Sequence, residues 1–235
     1  MPGERWGRMA GMHVESLGLS PLKGTSWLQR DVVDLTRHGL AGDRRWSPVG
    51  PDLRCVKATD VPWLAGVRVT PADLPPPQSA LHGGEQRTVM YYDRAFRCQL
   101  HDGELAARLS EAAGRELLLA RTTGEVGFIW SSPVSVLLRS EISELPGDTG
   151  RYRPNVVLDD RATPLQLAVG DRLDLGEVVL QVERPLERCL VIDHDPVTGR
   201  RDQRLLGRLR PGVLLGWGCR VVRPGALRVG AVNAS

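Results

Sequence analysis

VVLQVERPLERCLVIDHDPVTG, residues 178–199, connects a strand pattern to a turn pattern through a single cysteine. The apolar run at 178–182 predicts a strand, and residues 195–199 have the composition of a turn. Between them, Cys189 follows Arg188 where the strand gives way to a loop. A neighbouring cation lowers the pKa of a thiol, and thiophilic metals prefer a thiolate. Cys189 is therefore either a reactive or metal-binding thiol, or a cysteine buried as a small apolar side chain.

The composition is that of an ordinary soluble protein, and 235 residues suffice for one large β-rich domain or two small ones. Its apolar runs fall short of the ~20 residues that span a bilayer, and residues 1–11 lack the apolar core of a signal peptide. We therefore expect a cytoplasmic protein with a disordered lead-in at residues 1–12. The net charge of +3 is mild and the basic residues are scattered. We thus expect neither a nucleic acid nor a membrane as partner.

The four cysteines, at positions 55, 98, 189 and 219, lie far apart. They match neither a zinc site nor a disulfide framework nor a ferredoxin-type iron–sulfur cluster. We expect reduced thiols, of which at most one takes part in chemistry. The five histidines show no metal-binding spacing, and Asp193-His194-Asp195 is predicted to face solvent in a turn. The sequence also lacks the phosphate-binding and nucleophile-elbow motifs of nucleotide-binding proteins and serine hydrolases.

The hydrophobic pattern predicts a mainly β fold, with many short strands and three short helices. The best helix pattern covers residues 103–118, with Asp102 as its predicted N-cap. No internal repeat of 20–50 residues is present, which excludes a solenoid or a propeller. A closed or nearly closed β-barrel with short peripheral helices fits this pattern best.

Several basic residues occupy turns or strand ends. Residues 39–46, GLAGDRRW, form either an anion-holding turn or a surface hairpin with a salt-bridged arginine. Lys23 follows Pro21 on a tight turn, and residues 151–155 place two arginines and Asn155 before a strand. Side chains at such positions are held by the scaffold and can converge on one ligand.

Six motifs together resemble one family in their order and spacing: Pro21-Leu22-Lys23, residues 39–46, Ser132-Pro133, Arg153-Pro154-Asn155, Arg188-Cys189 and residues 195–199. The family is that of the MOSC domain, named for the C-terminal part of molybdenum cofactor sulfurase, with the N-terminal β-barrel domain that often precedes it. Its amidoxime-reducing members and their bacterial counterparts are the most similar. The resemblance runs from residue 13 to residue 232. It implies a MOSC N-terminal β domain at 13–100, a connecting helix at 101–120 and a MOSC β-barrel at 121–235.

This resemblance also implies a molybdenum–pyranopterin cofactor (Moco). Cys189 would ligate the metal and would be the catalytic residue. The residues that would bind the rest of the cofactor are Lys23, Arg44, Arg153 and Asn155, with Ser132 and Arg188 as further candidates. Several positions depart from the family pattern: Leu186 replaces a cysteine, Trp130 an acidic residue and Ala231 the aspartate of a closing Gly-Asp. Residues 164–167, PLQL, stand where the family usually has an acidic pair and a tryptophan.

The activity implied is that of an oxidoreductase that reduces an N-hydroxylated or N-oxide small molecule. The electrons would come from a separate donor protein of the flavin or the iron–sulfur/haem type. Two alternatives remain open at this point. Cys189 could carry a persulfide in a sulfur-transferring MOSC protein, or the basic pocket could bind another anion without catalysis.

Overall fold

The computed structural model describes residues 12–209 and 215–232. The predicted lead-in therefore lies outside the described residues, apart from Met12. Strand outweighs helix, at 36% against 19%, which confirms the prediction of a mainly β fold. No helix in the described ranges has both the length and the apolar character needed to cross a bilayer.

Fifteen strands and three α-helices make up the regular structure of the described ranges, together with six short 3₁₀ helices. The strands are β1 (His13–Leu19), β2 (Leu28–Arg30), β3 (Val32–Thr36), β4 (Gly39–Leu40), β5 (Trp46–Val49), β6 (Arg87–Tyr91), β7 (Arg94–His101), β8 (Leu118–Thr122), β9 (Val134–Leu138), β10 (Val156–Asp159), β11 (Arg172–Leu175), β12 (Val178–Pro185), β13 (Trp217–Arg223), β14 (Gly225–Arg228) and β15 (Gly230–Ala231). The α-helices are α1 (Glu104–Ala113), α2 (Arg139–Ile142) and α3 (Leu205–Arg208). The 3₁₀ helices are Pro62–Gly66, Pro71–Asp73, Pro77–Ser79, Leu81–Gly84, Thr149–Tyr152 and Leu190–Asp193.

The largest sheet has eight strands and curls into half a barrel. Its order is β11-β12-β13-β9-β10-β1-β15, with β2 added to β1. Its strands pair antiparallel, except that β9 and β10 are parallel. The second sheet has the order β14-β3-β4, and the third has the order β5-β8-β7-β6.

Alternating apolar side chains on the first two sheets build the main core. Val178, Leu180 and Val182 of β12 are buried and pack with Val14 and Leu17 of β1. Every second residue of a strand points to the same face, so this pattern places one face of each strand in the core. The strand predicted at 178–182 is confirmed, and it extends to Pro185.

A second core lies under α1. Leu105 and Leu109 of this helix pack with Trp46 and Leu119 from the third sheet. The predicted helix is confirmed but is shorter than expected, and the predicted cap is wrong. Gly103 is the N-cap, with a φ of 115° and no side-chain capping bond. Asp102 therefore does not begin the helix.

The two ends of the described chain interleave in these sheets. β1 pairs with β10 on one side and with β15 on the other, although β1 falls in the predicted N-terminal domain. In the same way, β14 pairs with β3. The division into domains at residues 100 and 120 stays a prediction. Two of the three sheets contain strands from both sides of these boundaries.

Candidate functional site

A cavity of about 240 Å³ lies between the segments that surround Cys189 and those that surround Lys23. We name it the Cys189 cavity. Its walls include six of the seven residues that the sequence nominated: Lys23, Arg44, Ser132, Arg153, Arg188 and Cys189. Residues more than 160 positions apart in the sequence thus meet in one place. Their roles stay a prediction, but their convergence is a property of the fold.

Cys189 lies just beyond the end of β12. The pairing of this strand is extended by Leu186, whose N–H donates to the carbonyl of Gly216 at 2.8 Å. Cys189 then serves as the N-cap of the 3₁₀ helix Leu190–Asp193, and its carbonyl accepts from the N–H of Ile192 at 3.3 Å. Its side chain is exposed on the cavity. The alternative of a cysteine buried as a small apolar side chain is therefore wrong.

The other three cysteines are buried. Burial raises the pKa of Cys55 to about 11 and that of Cys98 to about 12. It also raises the pKa of Cys219, because an apolar environment disfavours the thiolate. Of the four cysteines, Cys189 is thus the one whose thiol is accessible for chemistry.

Lys23 is held beside the cavity by its backbone, whose N–H donates to the carbonyl of Trp46 at 2.7 Å. Its Nζ lies 5.0 Å from the centre of the Tyr91 ring, within cation–π range. Burial is the largest cause that lowers its pKa to about 7, and the positive charges of Arg44 and Arg153 lower it further. The amine therefore titrates near neutral pH in the absence of an anion.

Arg44 occupies a left-handed position, with a φ of 51°. The preceding residue, Asp43, is buried and accepts a hydrogen bond from the N–H of Ser20 at 2.9 Å. Its other oxygen lies 3.4 Å from Nη1 of Arg44. Of the two interpretations of residues 39–46, the structure shows features of both: a salt-bridged arginine, and an arginine that lines a cavity.

Arg153 lines the cavity from the other side and is anchored to the Lys23 turn. Its φ is 53°, and its guanidinium donates to the carbonyls of Gly24 and Thr25. Burial and the neighbouring charge of Arg44 lower the pKa of Arg153 to about 10. Like Lys23, this side chain is less stable as a cation than it would be in water.

Asn155 lies behind the cavity and does not line it. Its Oδ1 accepts from the N–H and the hydroxyl of Ser135, at 3.0 and 3.1 Å. Its Nδ2 donates to the carbonyl of Gly18 at 3.2 Å and to Asp43 at 3.1 Å. Its donors and acceptors are thus engaged within the protein, so its contribution to a bound ligand would be indirect.

Three buried polar atoms of residues that line the cavity lack partners within the described chain, namely Ser132 Oγ, Arg151 Nε and Arg188 Nη2. The rest of Arg188 is fixed, since Nε donates to the carbonyl of Leu215 at 2.6 Å and Nη1 to that of Tyr152 at 2.9 Å. Burial lowers the pKa of Arg188 to about 10. An unsatisfied buried donor costs about 1–3 kcal/mol, so atoms of this kind indicate a place where a ligand supplies the missing acceptor.

Positive charge dominates the Cys189 cavity. Six basic residues line it, namely Lys23, Arg44, Lys57, Arg151, Arg153 and Arg188, against one acidic residue, Glu187. Asp43, behind the wall, already pairs with Arg44. Like charges held together in a partly dry space repel one another, and an anionic ligand relieves that repulsion. In the described ranges, no group of three or more histidine, cysteine, aspartate or glutamate side chains could hold a metal ion. The basic lining therefore suits an anionic ligand.

The sequence did not nominate several residues of the cavity wall: Lys57, Tyr91, Tyr92, Trp130 and Arg151. Tyr92 lies in the turn between β6 and β7, and Trp130 precedes Ser131 and Ser132. An aromatic residue in a polar turn, as Tyr92 is, gives a weak signal for a binding surface. The sequence gave no such signal for Arg151, because its side chain is buried in an ion network with Asp202 and Asp195.

The prediction that Asp193-His194-Asp195 faces solvent is wrong for its first two residues. Asp193 and His194 are buried. Asp193 accepts from Arg201 at 2.7 Å and from the N–H of Leu206 at 2.8 Å. The acid is thus a structural anchor for the loop that follows Cys189, and the turn pattern around it gave no sign of these distant partners.

Residues 129–232 match the sequence model of the MOSC domain. This part of the chain is therefore similar to a domain family that is associated with molybdenum-type cofactors. This confirms the family resemblance seen in the sequence.

Among solved structures, the YuaD protein from Bacillus subtilis is similar at 15% identity and a TM-score of 0.47, with 94% of this chain and 92% of that chain covered. YiiM from Geobacillus stearothermophilus is 18% identical with a TM-score of 0.33, and the match covers 43% of this chain and 52% of that one. At these TM-scores neither similarity bears on function. No curated protein sequence shows significant similarity to the chain.

Proposed function

We propose that the Cys189 cavity binds a molybdenum–pyranopterin cofactor, with Cys189 as the protein ligand of the metal. The protein would then be an oxidoreductase that reduces an N-oxygenated small molecule. One observation carries this proposal: the exposed cysteine of this chain lies in the same cavity as six lysine and arginine side chains. A thiolate ligand beside an anion-binding surface is what a metal held by an anionic dithiolene and a phosphate requires.

The donors present fit such a group. Arg44 and Arg153 present guanidinium groups, which bind phosphate oxygens in a bidentate manner. The free Nη2 of Arg188 and the free hydroxyl of Ser132 supply two further donors, and both are buried. Lys23 adds a charge that an anion would stabilise, because burial and the nearby arginines now disfavour its protonated form.

Arg188 has two roles in this proposal. It lies next to Cys189 in the chain, and the fixed contacts of its Nε and Nη1 keep its charge at the cavity. Its free Nη2 is a donor for an anionic ligand. Asn155 supports Arg44 through Asp43 and touches no ligand. It is therefore a positioning residue.

When bound, the cofactor supplies two-electron chemistry at molybdenum, with a net reaction in which R–NHOH, two protons and two electrons give R–NH₂ and water. Lys23 Nζ can hold one of these protons at the cavity near neutral pH, since its pKa is lowered to about 7. The electrons require a separate donor protein of the flavin or the iron–sulfur/haem type, because the substrate supplies none.

The test measures molybdenum and oxidised fluorescent pterin in protein from a cofactor-competent host. The wild type is compared with Cys189→Ala and with Cys55→Ala, a control that removes a buried thiol outside the cavity. We expect near-stoichiometric metal in the wild type and in Cys55→Ala, and its loss in Cys189→Ala. Equal metal in all three would move the ligand away from Cys189. Protein with neither metal nor pterin, but with a cyanide-labile sulfur on Cys189, would favour sulfur transfer and overturn the proposal.

A further inference from the structure

Two large aromatic side chains are exposed at the Cys189 cavity. Tyr92 is 44% exposed and Trp130 is 43% exposed, and both line this cavity together with Cys189. Their ring centres lie 4.3 Å apart, at an interplanar angle of 45°. We name this pair the aromatic wall. It combines a residue of the N-terminal part of the chain with one of the MOSC domain.

The aromatic wall is held in place by its surroundings. Arg94 lies over the Trp130 ring at 5.2 Å and donates to the carbonyl of Ile129 at 3.2 Å. Tyr91 meets Trp130 edge-on, with ring centres 6.3 Å apart. Lys57 lies over the Tyr92 ring at 4.9 Å. Each ring therefore has supporting contacts that fix its orientation while part of its surface stays in solvent.

The backbone at both rings is also constrained. Tyr92 has a φ of 55°, in the left-handed region that side chains of this size rarely occupy. The segment before Trp130 lies against the Arg44 turn, where the N–H of Phe128 donates to the carbonyl of Arg44 at 2.7 Å. A Cβ at Gly127 would lie only 2.6 Å from the carbonyl oxygen of Asp43. The same turn thus positions Arg44 and the Trp130 segment.

An aromatic pair that is fixed but exposed is suited to receive a flat ring. Aromatic groups gain from offset or edge-on contacts beyond the area they bury, and a rigid platform loses little entropy when it binds. Core packing does not explain this pair, because core aromatics lose their solvent exposure.

We infer that the aromatic wall is a substrate subsite and that it selects N-oxygenated compounds whose N–O group is attached to a planar aromatic ring. This inference rests on the proposed function for the N–O group, while the ring preference rests on Tyr92 and Trp130 alone. The substrate ring would lie on the aromatic wall, and the basic residues of the same cavity, such as Lys23, Arg44 and Arg153, are left for the anionic cofactor.

The test measures dissociation constants by isothermal titration calorimetry, without turnover. The probes are benzamidoxime, which has a phenyl ring, and acetamidoxime, which has a methyl group in its place. The proteins are the wild type, Trp130→Ala, Trp130→Phe and Val126→Ala, the last a control for an exposed apolar side chain outside the cavity. Molybdenum and pterin are measured in each preparation.

We expect the wild type to bind the phenyl compound about tenfold more tightly than the methyl compound. Trp130→Ala should reduce this preference to less than about twofold, while Trp130→Phe and Val126→Ala retain most of it. Equal binding of both compounds by the wild type, or an unchanged preference in Trp130→Ala, would overturn the subsite. A ring preference that depends on Trp130 in protein without metal or pterin would support the subsite and count against the proposed function. Metal-loaded protein without a ring preference would support the proposed function and overturn the subsite.

Discussion

Asn155 donates from Nδ2 to Asp43 at 3.1 Å and joins two segments that lie more than 100 residues apart in the sequence. The same carboxylate accepts from the N–H of Ser20 and pairs with Arg44. One buried amide therefore fixes the turn that carries Arg44 to the segment that carries Arg153.

Asn155→Ala should lower the free energy of unfolding by about 2–4 kcal/mol, because it removes the side-chain hydrogen bonds to Ser135, Gly18 and Asp43 from a buried network. Urea unfolding at neutral pH measures this change. Gln99→Ala is the control, since Gln99 donates a single hydrogen bond to the carbonyl of Gly84 at 3.2 Å. If the two variants lose equal stability, Asn155 does not have the supporting role assigned to it.

Sulfate should raise the melting temperature of the wild type more at pH 6 than at pH 8.5. Lys23 has a pKa lowered to about 7, so it is protonated and can bind an anion only at the lower pH. Sulfate remains a dianion at both pH values, and differential scanning fluorimetry follows the effect. In Lys23→Met the difference between the two pH values should disappear.

Lys57→Met serves as the matched control, because Lys57 lies at the aromatic wall with Asp60 3.4 Å away. It should keep the pH dependence of the wild type.

The stability of the fold also depends on the titration of Lys23. Between pH 7 and 10.5 the unfolded state binds more protons at Lys23 than the native state, so this residue makes stability rise with pH over that window. A wild type and Lys23→Met with parallel stability curves would contradict the lowered pKa.

Gly199→Ala should be far more destabilising than Gly114→Ala, although the two positions have similar φ angles of 67° and 62°. A Cβ at residue 199 would lie 2.5 Å from the backbone oxygen of Trp63, whereas one at residue 114 meets nothing within 4 Å. We expect losses of about 2–4 kcal/mol and about 1 kcal/mol, respectively, from chemical denaturation. Comparable losses would show that backbone strain dominates and that the contact with Trp63 yields easily.

Asp202→Asn should destabilise the protein at pH 7 and lose its effect in acid. Arg151 donates to both oxygens of Asp202, at 2.8 and 2.7 Å, and these bonds lower the pKa of the carboxyl below its usual value of 3.8. The stabilisation is therefore present above pH 4 and is lost as the pH falls through the lowered pKa. Unfolding curves of the wild type and of Asp202→Asn, recorded at pH 7 and at pH 3, measure the difference in stability at each pH.

Asp174→Asn is the control for that change, since Asp174 pairs with Arg223 at 3.1 Å on the surface. An exposed pair of this kind contributes about 0–1 kcal/mol. If Asp202→Asn changes stability no more than Asp174→Asn does, the Arg151 pair does not hold the Cys189 loop.

The sequence predicted those parts of the fold that depend on local pattern. Alternation placed β12, and apolar residues at helical spacing placed α1. The sequence put Cys189 where a strand gives way to a loop, but it left open whether the thiol is exposed or buried. It also nominated Lys23, Arg44 and Arg153, since a basic residue beside a turn or a strand end is visible in the sequence itself. The sequence predicted that these residues share one site only through the family resemblance.

The failures have a common physical origin. Asp193 was predicted to face solvent because its neighbours form a turn, but its partners Arg201 and Leu206 make it a buried anchor. The hydrogen bonds of Asn155 to Ser135, Gly18 and Asp43 were not visible in the sequence either, and its contact with a ligand stays a prediction. Both depend on contacts between distant segments, and periodicity within one segment carries no information about them.

The pairing of β1 with both β10 and β15 has a consequence for how the protein can be divided. Residues 129–232 are the part of the chain that matches the MOSC sequence model. On their own they would expose the edge of β10, which β1 covers in the full chain. Unprotected edges recruit other strands and promote aggregation. The strand that covers this edge thus comes from outside the matched segment, and we expect a truncation to residues 129–232 to aggregate.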